Sequence, residues 1–125
     1  MQLALEEASL SSADIDYINA HGTATPNNDL SEGRAIEKLF GPKQLFSSTK
    51  AYTGHTLAAA GSVECIYSIL SIKNNTIFPT LNHNILMPEL KVKPVINIKK
   101  DITINTVLSN SFGFGGNNAT IIIGR

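Results

Sequence analysis

The chain is organised around one stretch, SSTKAYTGHTLAAAGSVE at residues 47–64. This stretch follows a short apolar segment at residues 45–47, and a helical pattern continues from it as far as residues 74 and 75. These features predict a strand, a turn and a helix, with Lys50 and His55 in the turn. Open α/β sheets place their chemistry at this point, between the carboxyl end of a strand and the following helix.

Glu64 is predicted to be buried within that helix. It belongs to a stripe of mostly small residues at helical spacing, against which another backbone can approach closely, made of Leu57, Ala60, Gly61, Glu64 and Ser68. A buried carboxylate without a partner is costly or takes up a proton, so a cation is expected beside it. Lys50 is the nearest candidate in sequence. The alternative from the pattern alone is that Glu64 reaches solvent at the edge of the stripe.

Length and composition indicate one domain with one core, since the chain has 125 residues and 42% of them are hydrophobic. Ten basic residues balance ten acidic ones, so charge gives no argument for binding nucleic acid or an anionic membrane. Cys65 is the single cysteine, and its place within the helix predicts a buried, small apolar residue rather than a nucleophile. With neither a signal peptide nor a long apolar span in the sequence, we expect a cytoplasmic protein.

A second strand and loop of the same kind precede the central stretch. The strand is predicted at residues 15–20 and runs into His21. Asp29 and Glu32 then have the spacing of a capping box for the next helix. Because a strand, a histidine-bearing loop and a helix recur at His55, we expect parallel strands joined by helical crossovers, with both loops at one edge of the sheet.

The rest of the chain is predicted to be mostly extended. An irregular, polar surface loop is followed by three short strands, with the loop at residues 82–93 and the strands at 95–98, 106–110 and 119–123. The last two strands are joined by a glycine-rich segment that is too long for a tight hairpin. Its three glycines around Phe114 allow backbone N–H groups to approach a ligand while the phenylalanine moves. The alternative is a flexible loop without a role.

Other functional interpretations of these residues are weaker. Ser47 and Lys50 have the spacing of a serine acylase signature, but the companion elements of that signature are absent from the sequence. A zinc site formed by His21, His55 and His83 is not supported, because no two of them have a short ligand spacing. His83 is instead expected to be an exposed loop residue, and no metal site is predicted.

Three blocks of residues together resemble the carboxyl-terminal half of a β-ketoacyl-acyl-carrier-protein synthase. The blocks are NAHGTATP at residues 19–26, SSTK with TGH and AAG between residues 47 and 61, and NSFGFGG at residues 110–116. They span nearly the whole chain, and their order and spacing are highly specific. The resemblance implies that residues 1–125 form one domain, the carboxyl-terminal half of an α/β thiolase-like fold, with a mixed, mostly parallel sheet and packed helices.

The resemblance implies a condensing enzyme of fatty-acid or related polyene or polyketide synthesis. In that family an acyl chain is held as a thioester on a cysteine, malonyl-carrier-protein loses CO2, and the resulting carbanion attacks the thioester. Two neutral imidazoles stabilise the charge on the malonyl thioester oxygen as an oxyanion hole does, at about 3–4 kcal/mol per donor. His21 and His55 match these histidines, and such a pair is typical of the elongating branch of the family.

Further roles follow from the resemblance, residue by residue. Lys50 and Glu64 match a lysine and a glutamate that pair near the family's active site, which agrees with the burial predicted for Glu64. Thr23 and Thr25 match residues whose hydroxyls bind the phosphopantetheine arm. The glycine-rich segment supplies further substrate-binding positions, Phe112, Phe114 and Gly115. Among these, Phe114 matches the gating phenylalanine, whose backbone N–H also donates to the acyl-cysteine carbonyl.

The nucleophilic cysteine of the family has no counterpart here, because Cys65 lies in a different block. The chain is therefore expected to be part of a full synthase or a separately encoded half, inactive alone; a helical pattern over residues 1–8 without a capping residue also indicates a larger fold. The alternative function is a scaffolding or chain-length subunit without turnover. Expected partners are an acyl carrier protein, the amino-terminal half with the cysteine, and a second subunit in a homodimer or heterodimer. No cofactor is expected beyond the carrier's phosphopantetheine.

Overall fold

The computed structural model describes all 125 residues. Its regular elements, in chain order, are α1 (Gln2–Glu7), β1 (Tyr17–Asn19), α2 (Pro26–Phe40), β2 (Phe46–Ser47), α3 (Lys50–Thr53), α4 (Ala60–Asn74), β3 (Thr106–Phe112) and β4 (Asn118–Gly124). Three 3-10 turns lie between them, at Ser12–Asp14, Leu57–Ala59 and Phe114–Gly116.

The four strands form one sheet in the order β2, β1, β3, β4. β1 is parallel to both of its neighbours, with Ile18 opposite Phe46 on one side and opposite Leu108 on the other. β4 runs antiparallel to β3. The expected mixed, mostly parallel sheet is therefore confirmed, and β1 and β2 present their carboxyl ends at the same edge.

Apolar side chains pack on both faces of the sheet, because successive residues of a strand point to opposite sides. Ile18 belongs to one core cluster, together with Leu5 of α1 and Ile36 of α2. The adjacent Tyr17 belongs to the second cluster, together with Ile72 of α4. β1 is consequently buried along its whole length.

α2 begins earlier than the predicted capping box of Asp29 and Glu32. Thr25 occupies the N-cap position and Pro26 the first turn, where the missing N–H and the fixed φ of proline are favourable. Asp29 therefore lies inside the first turn, and Glu32 is buried on the helix. The predicted capping box is wrong, because the Glu32 carboxylate accepts hydrogen bonds from the loop after β1 instead.

α4 has the extent that the helical pattern predicts. Glu64 is 2% exposed and Ser68 is fully buried, which excludes the alternative that Glu64 reaches solvent. Gly61 lets β3 approach, since a Cβ there would lie 3.3 Å from the Ser111 hydroxyl oxygen. Leu57 is an exception in the stripe: it precedes the helix in a 3-10 turn with a positive φ of 51°, and its side chain is 77% exposed.

Residues 95–98 are extended but do not form the predicted strand. The N–H of Val95 donates to the carbonyl of Phe46 at 2.8 Å, and the carbonyl of Val95 accepts from Thr80 at 2.7 Å. The segment therefore hydrogen-bonds to Phe46 on one side and to Thr80 on the other, and it forms no continuous ladder of hydrogen bonds with either neighbour. Its two isoleucines are each 52% exposed. Its composition favours a strand, but strand formation depends on partners that this part of the fold does not supply.

The loop at residues 82–93 is irregular, as predicted, but only part of it lies on the surface. Val92 is 3% exposed and belongs to the core cluster beside α2. The prediction that His83 is exposed is wrong, because the residue is half-buried and its Nε2 atom is inaccessible and without a hydrogen-bond partner. The burial of Val92 and His83 has no signal in the sequence, since buried residues of this loop recur at neither a helical nor a strand period.

β3 and β4 form an antiparallel hairpin whose strands agree with the predicted ones. Phe112 pairs with Asn118, so residues 113–117 form the connecting loop. This loop is longer than a tight turn, as its glycine content predicts. The side chain of Phe114 projects from it and is fully exposed.

The exposed side of α4 carries apolar residues. Ile66, Ile69 and Leu70 share one helical face and are 57%, 48% and 38% exposed. A contiguous apolar surface of this kind marks a site of contact with another part of a protein. No helix of the chain combines the length and the apolar character that crossing a membrane requires.

The apolar face of α4 predicts how the isolated 125-residue chain behaves in solution. We expect it to self-associate and to bind a dye specific for exposed apolar surface. Replacing Ile66 and Ile69 by Ser should reduce both effects, whereas Lys73→Ser, an exposed change on the same helix, should leave them unchanged. Sedimentation and dye fluorescence measure the two effects. A strictly monomeric wild-type chain with a cooperative thermal transition and no dye binding would contradict the expectation.

Candidate active site

His21 lies directly after the carboxyl end of β1 and is 5% exposed. His55 lies after α3, in the loop that follows β2, and is exposed. The two ring centroids are 5.4 Å apart and the ring planes are nearly perpendicular, at 84°. The prediction that the two histidine-bearing loops meet at one edge of the sheet is therefore confirmed.

Lys50 and Glu64 form the predicted ion pair. Lys50 is the first residue of α3, Glu64 lies in the second turn of α4, and both side chains are buried. The Lys50 ammonium donates to Glu64 Oε1, and its Nζ also lies 3.2 Å from Nδ1 of His21. Burial raises the pKa of Glu64, and the ammonium of Lys50 opposes that rise. One buried cation thus joins the carboxylate of α4 to the imidazole after β1.

His21 is neutral at physiological pH. Burial lowers its pKa to about 4, and the electrostatic effects of the Lys50 ammonium and of His55 act in the same direction. The Lys50 ammonium can only donate hydrogen bonds, so Nδ1 of His21 is the acceptor. The ring proton is therefore on Nε2, an assignment that follows from the hydrogen-bond network.

His55 reaches the same tautomer through the backbone. The N–H of Leu57 donates to Nδ1 of His55 at 3.2 Å, so the proton of a neutral ring is on Nε2. Both histidines have their Nδ1 atoms occupied as acceptors. Two neighbouring imidazoles can consequently offer Nε2–H donors to a single acceptor placed between them, such as a carbonyl oxygen on which negative charge develops.

Glu32 holds the loop that carries His21, a role that the sequence interpretation missed. Its carboxylate accepts from the backbone N–H groups of His21 and Gly22 and from the amide of Asn110, each at 2.9 Å. Burial raises the pKa of Glu32, and these hydrogen bonds oppose the rise. One signal was present in the sequence, since Glu32 lies one turn before the buried Ile36 and hence on the core side of α2.

Asn19 connects the end of β1 to α4. It is fully buried, and its amide donates to the backbone carbonyl of Glu64 at 3.1 Å. This bond joins the strand that leads into His21 to the turn of α4 that carries the carboxylate. The hydrogen bond of Asn19 thus holds the ion pair of α4 and the imidazole after β1 in a fixed relative position.

The other residues predicted for the site lie at its rim. The hydroxyls of Thr23 and Thr25 are 3.0 Å apart and exposed. The ring of Phe112 is 5.7 Å from the ring of His21, centroid to centroid. Phe114 and Gly115 lie in the hairpin loop beyond it, where Gly115 has a φ of +82°. The structure thus brings Phe112 close to His21 and leaves Phe114 projecting into solvent.

Comparison with known proteins agrees with the class that the fold defines, the carboxyl-terminal half of an α/β fold of thiolase-like type. The family model described as "Beta-ketoacyl synthase, C-terminal domain" matches residues 1–84. The chain belongs to this family. It is 48% identical, over 128 residues, to a 3-oxoacyl-[acyl-carrier-protein] synthase 2 of Rhizobium meliloti (strain 1021), covering 100% of this chain and 30% of that protein.

Solved structures give the same result. A β-ketoacyl synthase from Burkholderia phymatum STM815 superposes with a TM-score of 0.95 at 40% identity, covering 100% of this chain and 31% of that one. A ketosynthase in complex with its chain length factor, from Xenorhabdus doucetiae, superposes with a TM-score of 0.91 at 36% identity, covering 99% and 32%. The chain therefore spans about a third of the length of the relatives that it matches.

The ion pair of Lys50 and Glu64 predicts non-additive stability changes. Lys50→Met and Glu64→Gln should each cost about 3–5 kcal/mol of unfolding free energy, because each leaves the other group buried without its partner. The double variant should cost less than the sum of the two. Denaturant unfolding of the four proteins gives the cycle, with the exposed Lys73→Met as the matched control. Additive losses would show that the two groups do not interact.

Proposed function

We propose that this chain is the carboxyl-terminal part of a 3-oxoacyl-[acyl-carrier-protein] synthase that acts on carrier-bound acyl chains in fatty-acid or related polyene or polyketide synthesis. The observation that carries the proposal is the pair of neighbouring imidazoles, His21 and His55, each with Nδ1 occupied as an acceptor. Few reactions need two imidazole N–H donors for one oxygen. Formation of an enolate from a thioester is one of them, because its charge develops on the former carbonyl oxygen.

In the proposed reaction the malonyl thioester oxygen accepts from Nε2 of His21 and from Nε2 of His55. The bond between the malonyl α-carbon and its carboxylate breaks, CO2 leaves, and the electron pair moves into the enolate. The α-carbon then attacks the carbonyl of an acyl-cysteine thioester, forming the new carbon–carbon bond and releasing the cysteine thiolate. Each donor stabilises the enolate by about 3–4 kcal/mol if it acts as an oxyanion-hole donor does elsewhere.

Lys50 supports this step in two ways. Its ammonium occupies Nδ1 of His21, which keeps the donor proton on Nε2, and its charge keeps the ring from accepting a second proton. A protonated His21 would still donate, but it would carry its own charge into a buried site and bind the malonyl carboxylate before that group is lost. A neutral donor favours the transition state over this ground state.

The rim residues fit the path of a carrier-bound substrate. Thr23 is half-buried and Thr25 is exposed in the loop after His21, where their hydroxyls can bind the amides of a phosphopantetheine arm. Phe112 packs near the His21 ring, and Phe114 on the glycine-rich hairpin is free to move across the entrance together with Gly115. These assignments rest on position and on the family to which the chain belongs.

The proposed partners are an acyl carrier protein and the amino-terminal portion that the longer relatives contain. That portion would supply the nucleophilic cysteine and cover the apolar face of α4 formed by Ile66, Ile69 and Leu70. The single cysteine of this chain, Cys65, is half-buried within α4 and has no histidine at helical spacing to activate it. The chain alone should therefore lack condensing activity.

The second candidate function is a scaffolding or chain-length subunit without turnover. Its support is the structural likeness to a ketosynthase solved with its chain length factor. The charged and polar groups at the carboxyl edge favour the catalytic alternative, because a scaffold gains nothing from burying a lysine, a glutamate and a histidine together. A cysteine at a strand-to-helix turn in the amino-terminal portion would decide between the two.

The paired histidines predict which step fails when either is lost. In the assembled synthase, His21→Ala and His55→Ala should each lower CO2 release from malonyl-carrier-protein by roughly 10²-fold or more. Transfer of an acyl group to the cysteine should be much less affected, since it needs chiefly the thiolate and a separate oxyanion hole. The two rates are measured on each variant, as CO2 release and as labelled acyl-enzyme.

His83→Ala is the matched control, because it removes the third histidine of the chain without touching the pair. It should leave both rates near those of the wild type. If acyl transfer fell as far as decarboxylation in the His21 or His55 variant while the fold stayed intact, the paired-donor role would be wrong. One imidazole would then act as a general base toward the cysteine.

A further inference from the structure

The two loops that carry the histidines and the lysine touch each other at Ser48 and Gly22. The Ser48 hydroxyl donates to the carbonyl of Gly22 at 2.9 Å, and it lies 3.4 Å from the backbone N–H of Lys50, which donates to it. Ser48 is 7% exposed, so these bonds form out of solvent. One hydroxyl therefore connects the residue after His21 to the first residue of α3.

The contact leaves no room for a side chain on Gly22. A Cβ at this position would lie 2.5 Å from the Ser48 Cβ and 2.7 Å from its hydroxyl oxygen, closer than real Cβ contacts. Gly22 also has a φ of +41°, where side chains are disfavoured. The two loops are thus in direct contact, and the Ser48 side chain sets their separation.

Ser48 is also anchored from a third element. Its backbone N–H donates to the Thr80 hydroxyl at 3.0 Å. Thr80 lies in the extended segment after α4, and this segment is bonded in turn to Val95. The position of Ser48 is therefore fixed by the loop after β1, by the start of α3 and by the segment after α4.

We infer that Ser48 is a positioning residue for the condensing reaction, which holds the two loops at the separation that lets Nζ of Lys50 reach Nδ1 of His21. The inference rests on the proposed function for its catalytic consequence and on the contacts of Ser48 for the rest. The distance from Nζ to Nδ1 is 3.2 Å, at the upper end of the range for a hydrogen bond. A small separation of the loops breaks that bond.

Loosening the loops has a measurable effect on His21. The titratable groups that face it from the surrounding elements are Lys50 of α3, His55, Glu32 of α2 and Glu64 of α4. When the loops separate, water enters and Lys50 moves away from the ring. Both changes raise the pKa of His21 from about 4 toward its ordinary value of 6.5.

The test is the pKa of His21 in the assembled synthase, measured by NMR with labelled histidine. Ser48→Ala should raise that pKa by about one unit or more. Thr80→Val leaves the Ser48 hydroxyl in place but removes the acceptor of the Ser48 backbone N–H, so it should raise the pKa by less. Ser31→Ala, the same change at an exposed position of α2, should leave it unchanged. The acid limb of the decarboxylation rate should move upward with the pKa, while KM for malonyl-carrier-protein stays constant.

An unchanged pKa of His21 in folded Ser48→Ala would overturn the inference, as would an unchanged pKa in folded Thr80→Val if the first variant does not fold. A raised pKa supports it whether or not the protein condenses malonyl substrates. A wild-type synthase without condensing activity would instead contradict the proposed function. The two failures are therefore distinguishable.

Discussion

The architecture of the site depends on one buried cation, the ammonium of Lys50. Removing a charge from water is costly unless it is paired and hydrogen-bonded, and Glu64 and His21 supply the two partners. These groups come from three elements, since His21 follows β1, Lys50 begins α3 after β2, and Glu64 lies on α4. The buried stripe of α4 and the amide of Asn19 hold that helix against the strands.

The same cation determines what His21 can do. Because Nδ1 faces an ammonium in a buried setting, the ring stays neutral and carries its proton on Nε2. His55 reaches that tautomer through the backbone N–H of Leu57, at an exposed position. The first donor is fixed in a packed frame and the second lies at the mouth of the site. Donors fixed before reaction cost no reorganisation as charge develops, which is the general advantage of a preorganised site.

Local patterns in the sequence predicted those parts of the site that depend on helical spacing and on α/β alternation. The burial of Glu64 followed from its stripe, and the meeting of His21 and His55 followed from two strand-to-helix loops in succession. Glu32 was misinterpreted because its spacing from Asp29 fits a capping box, whereas its carboxylate accepts from His21 and Gly22 in the loop that precedes α2. No local sequence pattern predicts the contact of Ser48 with Gly22, since only the order of strands in the sheet brings these residues together.

The most direct test of this account is the tautomer of the two histidines at neutral pH. Labelled 15N-histidine NMR on the assembled synthase separates Nδ1 from Nε2 and a neutral ring from a charged one. We predict that His21 is neutral with its proton on Nε2 and that the neutral form of His55 has the same tautomer. Lys50→Met should shift the signals of His21 while those of His55 stay nearly unchanged. A doubly protonated His21, or a neutral His21 with its proton on Nδ1, would contradict the central claim that Lys50 sets its protonation.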